Sequence, residues 1–172
     1  MKEFVITRVF DAPRERAWQA WTEAGRLKQW FSPRGFTVAS CRLDLRVGGL
    51  FHYCLRTPDG QDMWGRWVIR EIVKPEKLVF VVSFSDQSGG VTVHPMSPSW
   101  PREMLSTVEF RAQGERTEVT VRWIPINATE VERRTFDEGR DGHLKQGWAG
   151  TLDYLATYLA AGPAHVKTVT EK

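Results

Sequence analysis

Strand-like segments follow one another through the middle of this 172-residue chain. Most of them are separated by turn signals only a few residues long, and short turns join neighbouring strands in antiparallel orientation. The predicted strands are residues 36–45, 50–56, 63–73, 78–84, 104–111 and 118–123. Because a pattern of this kind cannot be accommodated in a helical bundle or a parallel α/β fold, it predicts a mainly antiparallel sheet.

Other patterns place elements on both sides of this block. Residues 3–10 have strand composition, and apolar residues at helical spacing predict a helix over residues 14–23 followed by a second short one through Trp30 and Phe31. After Pro125 a capping-box pattern begins at Thr129. The long helix that follows has a stripe of large apolar residues at Leu144, Trp148, Leu152, Leu155 and Leu159.

The predicted fold is therefore an α+β arrangement. Seven antiparallel strands form a sheet with all helices on one face, and a sheet that curves around a long C-terminal helix leaves a cavity between them. We expect one domain over residues 1–161, because Gly162-Pro163 is a helix stop signal. Residues 162–172 are expected to form a flexible polar tail.

Charge and hydropathy narrow the function classes. Lys and Arg number 24 against 21 Asp and Glu, with a net charge of +3, and no basic block indicates nucleic-acid binding. The longest apolar run, residues 78–84, is far shorter than the roughly 20 residues of a membrane helix. The first three residues lead directly into a strand and not into a signal peptide, so a cytoplasmic location is expected.

Familiar catalytic and metal-binding motifs are absent from the sequence. The four histidines are scattered, and there is no HExxH, CxxC, P-loop, GxSxG or GxGxxG pattern, so neither a metal nor a cofactor is predicted and no catalytic residue is assigned. Asp44 and Glu71 are interpreted as partners in ion pairs, with Arg46 and Arg70 as neighbouring cations. Asp44 also suits a turn-fixing role beside Gly48-Gly49.

Aromatic residues are the strongest functional signal, since 8 of the 172 residues are Trp. Alternation along the strands and helical spacing place one set of apolar side chains between the sheet and the last helix. The candidate ligand-binding residues are Phe51, Tyr53, Trp67, Phe80, Phe84, Met104, Trp123, Leu144 and Trp148. They predict either a cavity in which Tyr53, Trp67 and Trp123 provide polar tips to a mostly apolar ligand, or an ordinary packed core.

The order and spacing of several short motifs resemble one known family over about residues 4–160. The motifs are Phe10-Asp11-Ala12-Pro13-Arg14-Glu15-Arg16-Ala17-Trp18, Trp21-Thr22, Gln29-Trp30-Phe31-Ser32-Pro33, Asp44-Leu45-Arg46-Val47-Gly48-Gly49, Pro58-Asp59-Gly60, Glu71-Ile72, Pro75-Glu76-Lys77-Leu78-Val79-Phe80 and Gly147-Trp148. The chain is thereby similar to the activator of 90-kDa heat-shock protein ATPase homologue-1-like family, within the START-like helix-grip superfamily.

This resemblance implies a helix-grip domain that binds a small hydrophobic or aromatic molecule under its C-terminal helix. It leaves two alternatives open, which are a protein-interaction domain that stimulates a heat-shock chaperone ATPase and a cyclase- or hydrolase-type enzyme that uses the same cavity. The loop over residues 85–102, which carries His94, Met96 and Trp100, is longer than the family pattern. Loops of this length are functional lids or disordered insertions.

Three local predictions follow from the same patterns. A turn centred on Val47-Gly48 would place Cys41 directly opposite Cys54, both as thiols. Trp148 is expected to be buried against the sheet.

The third concerns glycines, since Gly139, Gly142, Gly147 and Gly150 all fall in the last helix. Three of them lie opposite Trp148 on a helical wheel. They indicate close approach of a second subunit in a homodimer or of the 85–102 loop, or else a kinked helix.

Overall fold

The computed structural model describes residues 2–162. Its elements, in chain order, are β1 (Phe4–Phe10), α1 (Arg14–Thr22), α2 (Ala24–Trp30), β2 (Thr37–Leu43), β3 (Leu50–Arg56), β4 (Asp62–Val73), β5 (Lys77–Ser85), β6 (Val91–Thr92), β7 (Met104–Gln113), β8 (Arg116–Pro125), α3 (Glu130–Gly139), a π-helical turn (Arg140–Leu144) and α4 (Lys145–Ala161). The predicted tail lies outside the described residues apart from Gly162.

One antiparallel sheet contains all the strands, in the order β1-β8-β7-β5-β4-β3-β2. The seven strands on this path agree with the predicted α+β architecture. The two-residue strand β6 was not predicted; it lies in the long loop and pairs with the end of β5. No helix within residues 2–162 is long and apolar enough to cross a membrane.

The core lies between this sheet and the helices on one of its faces. Alternate residues of the strands, such as Ile69, Val108 and Val121, are fully buried, and so are Leu152 and Leu155 of α4. Trp148 is 6% exposed and packs against rings from the sheet and from α1, as predicted. The apolar stripe of the last helix therefore faces the sheet.

Asp153 fastens the outer side of α4 to the rest of the domain. Its carboxylate accepts hydrogen bonds from Arg8 of β1 and from Arg34 after α2, both at 2.6 Å. The Arg8 guanidinium and then the Arg34 guanidinium hold the pKa of Asp153 below its usual value. The neighbouring Tyr154 hydroxyl accepts the backbone N–H of Gly35 at 2.8 Å. These contacts set the position of α4 above the sheet, and therefore the height of the space beneath it.

The predicted register of the first hairpin is wrong by one residue. Cys41 lies opposite Tyr53, and Cys54 lies opposite Ser40. The backbone N–H of Asp44 bonds to Leu50 O, so these two residues pair and the five residues between them form a turn centred on Val47. Because a one-residue slip moves a side chain to the other face of a sheet, the two free cysteines lie on opposite faces.

The two predicted ion pairs have different outcomes. Asp44 does pair with Arg46, at 2.8 Å. Glu71 instead pairs with Lys77 of β5, at 3.1 Å. Arg70 is the extra residue of a β-bulge between Ile69 and Glu71 and has no paired residue in β5, whereas Lys77 lies diagonally across the hairpin from Glu71.

The glycines of the last helix mark a kink. Gly142 has φ −104° and ψ −106°, which are not helical, so α3 and α4 are separate helices and not one long one. A Cβ on Gly139 would lie 2.8 Å from the His143 ring and 3.2 Å from Trp100, and a Cβ on Gly150 would lie 3.3 Å from Arg34. The close approach thus comes from this chain, including the 85–102 loop, and does not require the second subunit of the homodimer hypothesis.

Candidate functional site

A cavity of about 270 Å³ lies between the sheet and the last helix. Side chains from four parts of the chain line it. The sheet provides Tyr53, Leu55, Met63, Trp64, Gly65, Val82, Ser83, Phe84, Met104 and Trp123; the segment after α2 provides Phe31, Ser32 and Pro33; the long loop provides His94, Ser97, Trp100, Pro101 and Arg102; and the kinked helix provides His143, Leu144, Gly147, Trp148 and Thr151.

Six of the nine candidate residues from the sequence lie in this lining. They are Tyr53, Phe84, Met104, Trp123, Leu144 and Trp148. Spacing along the strands and the last helix therefore identified much of the wall, because these residues share the face of the sheet, or the stripe of the helix, that encloses the cavity.

The other three candidates, Phe51, Trp67 and Phe80, lie below the cavity in the packed core. Trp67 stacks on Phe80 with ring centroids 3.9 Å apart, and all three side chains are at most 1% exposed. They are on the predicted face, but Phe31 and Trp21 cover them, with centroids 5.2 and 6.3 Å from Trp67. Both predicted outcomes are therefore present: one end of the aromatic face is packed core and the other end lines a cavity.

The long loop forms an ordered cover over the cavity; we call residues 86–102 the cover loop. Its base is tightened by the Asp86 carboxylate, which accepts the backbone N–H groups of Ser88 and Gly90, each at 2.9 Å. Near its end Trp100, 7% exposed, packs against the rings of Phe136 and His143 at 5.9 Å. These contacts connect the cover loop to α3 and to the helix kink.

Sequence reasoning did not assign the residues of the cover loop to the site. His94, Trp100 and Arg102 all line the cavity, whereas Met96 is 87% exposed and does not. Irregular loops carry no periodic pattern that assigns a side chain to a face. The one available signal was the combination of a histidine and a tryptophan in a loop otherwise rich in Ser, Gly and Pro.

The ring of Tyr53 lies flat over Gly65, its cross-strand neighbour in β4. A Cβ at residue 65 would approach three atoms of the Tyr53 ring and hydroxyl to 2.6 Å, so only glycine leaves room for this arrangement. Burial raises the pKa of Tyr53 above its usual value. The phenol is therefore neutral under ordinary conditions and retains its hydrogen-bond donor.

We expect Gly65→Ala to be destabilising by about 1–3 kcal/mol, because it inserts a methyl group into the space of the Tyr53 ring. The measurement is urea unfolding of four proteins: the wild type, Gly65→Ala, Tyr53→Leu and the double variant. The flexible leucine relieves the collision, so the cost of Gly65→Ala should fall below about 1 kcal/mol in the Tyr53→Leu background. Equal costs in both backgrounds would show that the collision is not with Tyr53.

Donor groups surround one side of the cavity. His94 Nδ1 accepts the backbone N–H of Met96 at 3.0 Å, so the neutral ring carries its hydrogen on Nε2. Burial lowers the pKa of His94, and the nearby charge of His143 lowers it further. Arg102 and His143 also line the cavity, and both are exposed to solvent. The 23 lining residues include no Asp or Glu.

Of the three residues predicted to offer a polar group to the ligand, Trp67 and Trp123 do not do so. Trp67 is outside the lining, and the Trp123 Nε1 atom is buried with no hydrogen-bond partner among residues 2–162. Trp123 therefore offers its ring and not its N–H to the cavity. Within the same residues, no group of three or more His, Cys, Asp and Glu side chains is arranged to hold a metal ion.

The family can be assigned once this architecture is compared with known proteins. The sequence model described as Activator of Hsp90 ATPase homolog 1-like protein matches residues 11–160, which includes every residue that lines the cavity. The chain belongs to this family. No curated protein matches the chain significantly.

Solved structures similar to this activator-like protein share its fold. A solution structure from Arthrobacter aurescens is 24% identical with a TM-score of 0.74, over 94% of this chain and 87% of the other. A crystal structure from Nitrosomonas europaea is 22% identical with a TM-score of 0.72, over 92% and 94% of the two chains.

A third structure carries the family name itself: the AHSA1 protein from Silicibacter pomeroyi is 17% identical with a TM-score of 0.68, over 94% of this chain and 100% of the other. At these identities the comparisons establish the fold alone, an α+β fold with an open antiparallel sheet and a C-terminal helix. The function of this activator-like protein has to be argued from its own site.

Proposed function

We propose that this activator-like domain binds a small, mainly apolar molecule with one or two rings in the cavity under its C-terminal helix. The observation that carries the proposal is the cavity itself, which keeps about 270 Å³ open in a domain whose adjacent core is closely packed. Protein interiors contain few voids larger than a water molecule, so an open space of this size needs a reason.

The shape and chemistry of the wall support a flat apolar ligand. The lining includes the rings of Phe31, Tyr53, Trp123 and Trp148 together with the Met104 side chain. An apolar cavity of about 150 Å³ in another protein binds benzene. The larger cavity of this domain has room for a second ring, and aromatic walls favour stacked and edge-on contacts with it.

Gly147 provides a way to fill the cavity without disturbing its walls. It lies in the lining together with Leu144, Trp148 and Thr151, at the spacing of one helix face, and a Cβ added to it would meet nothing within 4 Å. A larger side chain at residue 147 therefore enters the open space.

We expect Gly147→Leu to abolish binding while leaving the domain at least as stable as the wild type. Leucine is favoured over glycine by about 1 kcal/mol within a helix. Binding of naphthalene-1-methanol is measured by calorimetry, and stability by urea unfolding. Gly147→Ala, which adds one methyl group, is the matched control and should retain most of the affinity.

Two outcomes would overturn the proposal. One is that the wild type shows no binding to naphthalene-1-methanol or to other one- and two-ring probes such as indole. The other is that Gly147→Leu binds the probe as tightly as the wild type. Stimulation of a purified heat-shock chaperone ATPase by a wild-type domain that binds none of these probes would favour the interaction role that the family name indicates.

A further inference from the structure

The cavity has a charge asymmetry that narrows the class of its ligand. Among residues 2–162, the charged or readily charged lining residues are Arg102, His94 and His143, and all three come from the cover loop or the helix kink. The chain as a whole is almost balanced, with 24 basic and 21 acidic residues, yet no carboxylate of the described part of the chain lines the cavity. We call Arg102, His94 and His143 the mouth of the site; together they offer an anion one guanidinium and two imidazole rings.

Arg102 and His143 have no other polar partner in the described structure. Arg102 forms no ion pair or side-chain hydrogen bond with any residue in 2–162, and the same holds for the His143 ring. The acidic neighbours in sequence have other partners: Glu103 accepts a hydrogen bond from Asn127 at 3.1 Å, and Asp141 lies 3.6 Å from Arg140.

A hydrogen bond fixes the tautomer of His94, so the position of its N–H donor is defined. Since its Nδ1 accepts the Met96 N–H, its hydrogen is on Nε2, and Nε2 makes no hydrogen bond to the described residues. Its ring packs against Phe84 at 4.6 Å, which is itself part of the apolar wall. A donor thus lies at the boundary between the apolar interior and the cationic mouth.

We propose that the ligand is an aromatic carboxylate, with its ring system in the cavity and its carboxylate at Arg102, His94 and His143. This inference rests on the proposed function, because it names the ligand class of the same cavity. Burying a carboxylate completely is costly, whereas Arg102 and His143 are exposed, so the head group stays partly hydrated while the rings are desolvated. A guanidinium binds a carboxylate with paired N–H donors.

The test uses two probes that share one ring system and differ in the head group, naphthalene-1-carboxylate and naphthalene-1-methanol. Calorimetry near neutral pH measures the dissociation constant of each. At low ionic strength the wild type should bind the carboxylate about tenfold more tightly, which corresponds to about 1.4 kcal/mol. The preference should shrink in about 1 M NaCl, where the Debye length is about 3 Å.

Two arginine variants test which group produces the preference for the carboxylate. Arg102→Gln should weaken binding of the carboxylate severalfold and leave the affinity for the alcohol unchanged. Arg42→Gln is the matched control, because Arg42 is an exposed arginine with no ion pair among residues 2–162 and does not line the cavity. It should change neither constant.

The results separate this inference from the proposed function. Equal affinity for the two probes, or a preference for the carboxylate that survives Arg102→Gln unchanged, overturns the ligand class while the apolar cavity remains a binding site. Failure of both probes to bind overturns the proposed function and this inference together. Tight binding of the carboxylate to Gly147→Leu would place the anion outside the cavity and also contradict the inference.

Discussion

Trp21→Ala should destabilise the domain more than any other single truncation that we consider, by close to 5 kcal/mol in the range of about 3–5 kcal/mol known for large-to-small changes in cores. The Trp21 side chain is fully buried and contacts four other rings, with centroids 4.9 Å away for Trp30, 6.0 Å for Trp148, 6.2 Å for Phe110 and 6.3 Å for Trp67. Its removal leaves a cavity where α1, α2, α4 and the sheet meet.

Urea unfolding measures this loss, with two control variants. Trp21→Phe should cost much less, because Trp21 Nε1 has no hydrogen-bond partner among residues 2–162 and the phenyl ring keeps part of the packing. Trp64→Ala removes an indole that is partly exposed and stacks on His52 at 5.0 Å, and it should cost about 1 kcal/mol. Similar losses for Trp21→Ala and Trp64→Ala would show that Trp21 is not the centre of the core.

Strand periodicity was sufficient to predict the faces of the sheet. Tyr53, Phe84 and Trp123 all point toward the helices, as the alternation of apolar residues requires. Periodicity could not distinguish a cavity from a packed core, because Phe51 and Phe80 share that face and belong to the part of the core that Trp21 of α1 and Phe31 cover. That distinction depends on how the helices are placed over the sheet.

The errors of register and helix continuity also have local causes. A five-residue turn centred on Val47, in place of a turn centred on Val47-Gly48, shifted Cys41 by one position relative to Cys54, which moved the two to opposite faces. The capping box begins at Thr129 and the apolar stripe begins at Leu144, and neither pattern marks the break at Gly142, so one helix was predicted where the backbone forms two. In both cases backbone geometry at a few residues decides the outcome, and side-chain hydropathy carries no information about it.

The residues of the cover loop could not be assigned to the candidate site from the sequence either. Its residues have no hydrophobic period, yet Trp100 packs on Phe136 and brings His94 and Arg102 to the cavity. The apolar part of the site was therefore predictable from strands and helices. The charged part depends on Trp100, a buried anchor in an irregular segment, and the proposed preference for an aromatic carboxylate rests on this part.

Trp148→Ala should affect both stability and binding, because Trp148 belongs to the core and to the cavity wall. Its ring stacks on Trp21 at 6.0 Å and meets Trp123 edge-on at 5.6 Å, and its other side borders open space. The truncation therefore removes fewer contacts than at Trp21. We expect a loss of about 3 kcal/mol in the free energy of unfolding, at the lower end of the range for such changes.

The same change should weaken binding of naphthalene-1-methanol at least tenfold, because it removes one aromatic wall and leaves the probe loosely enclosed. Calorimetry is run below the unfolding transition, where circular dichroism shows that the variant is folded. Trp148→Phe, which keeps a ring in place, should recover most of the stability and part of the affinity. A different result would show that Trp148 belongs to the core alone. In that case Trp148→Ala would cost as much stability as Trp21→Ala and leave the affinity of the folded protein for the probe unchanged.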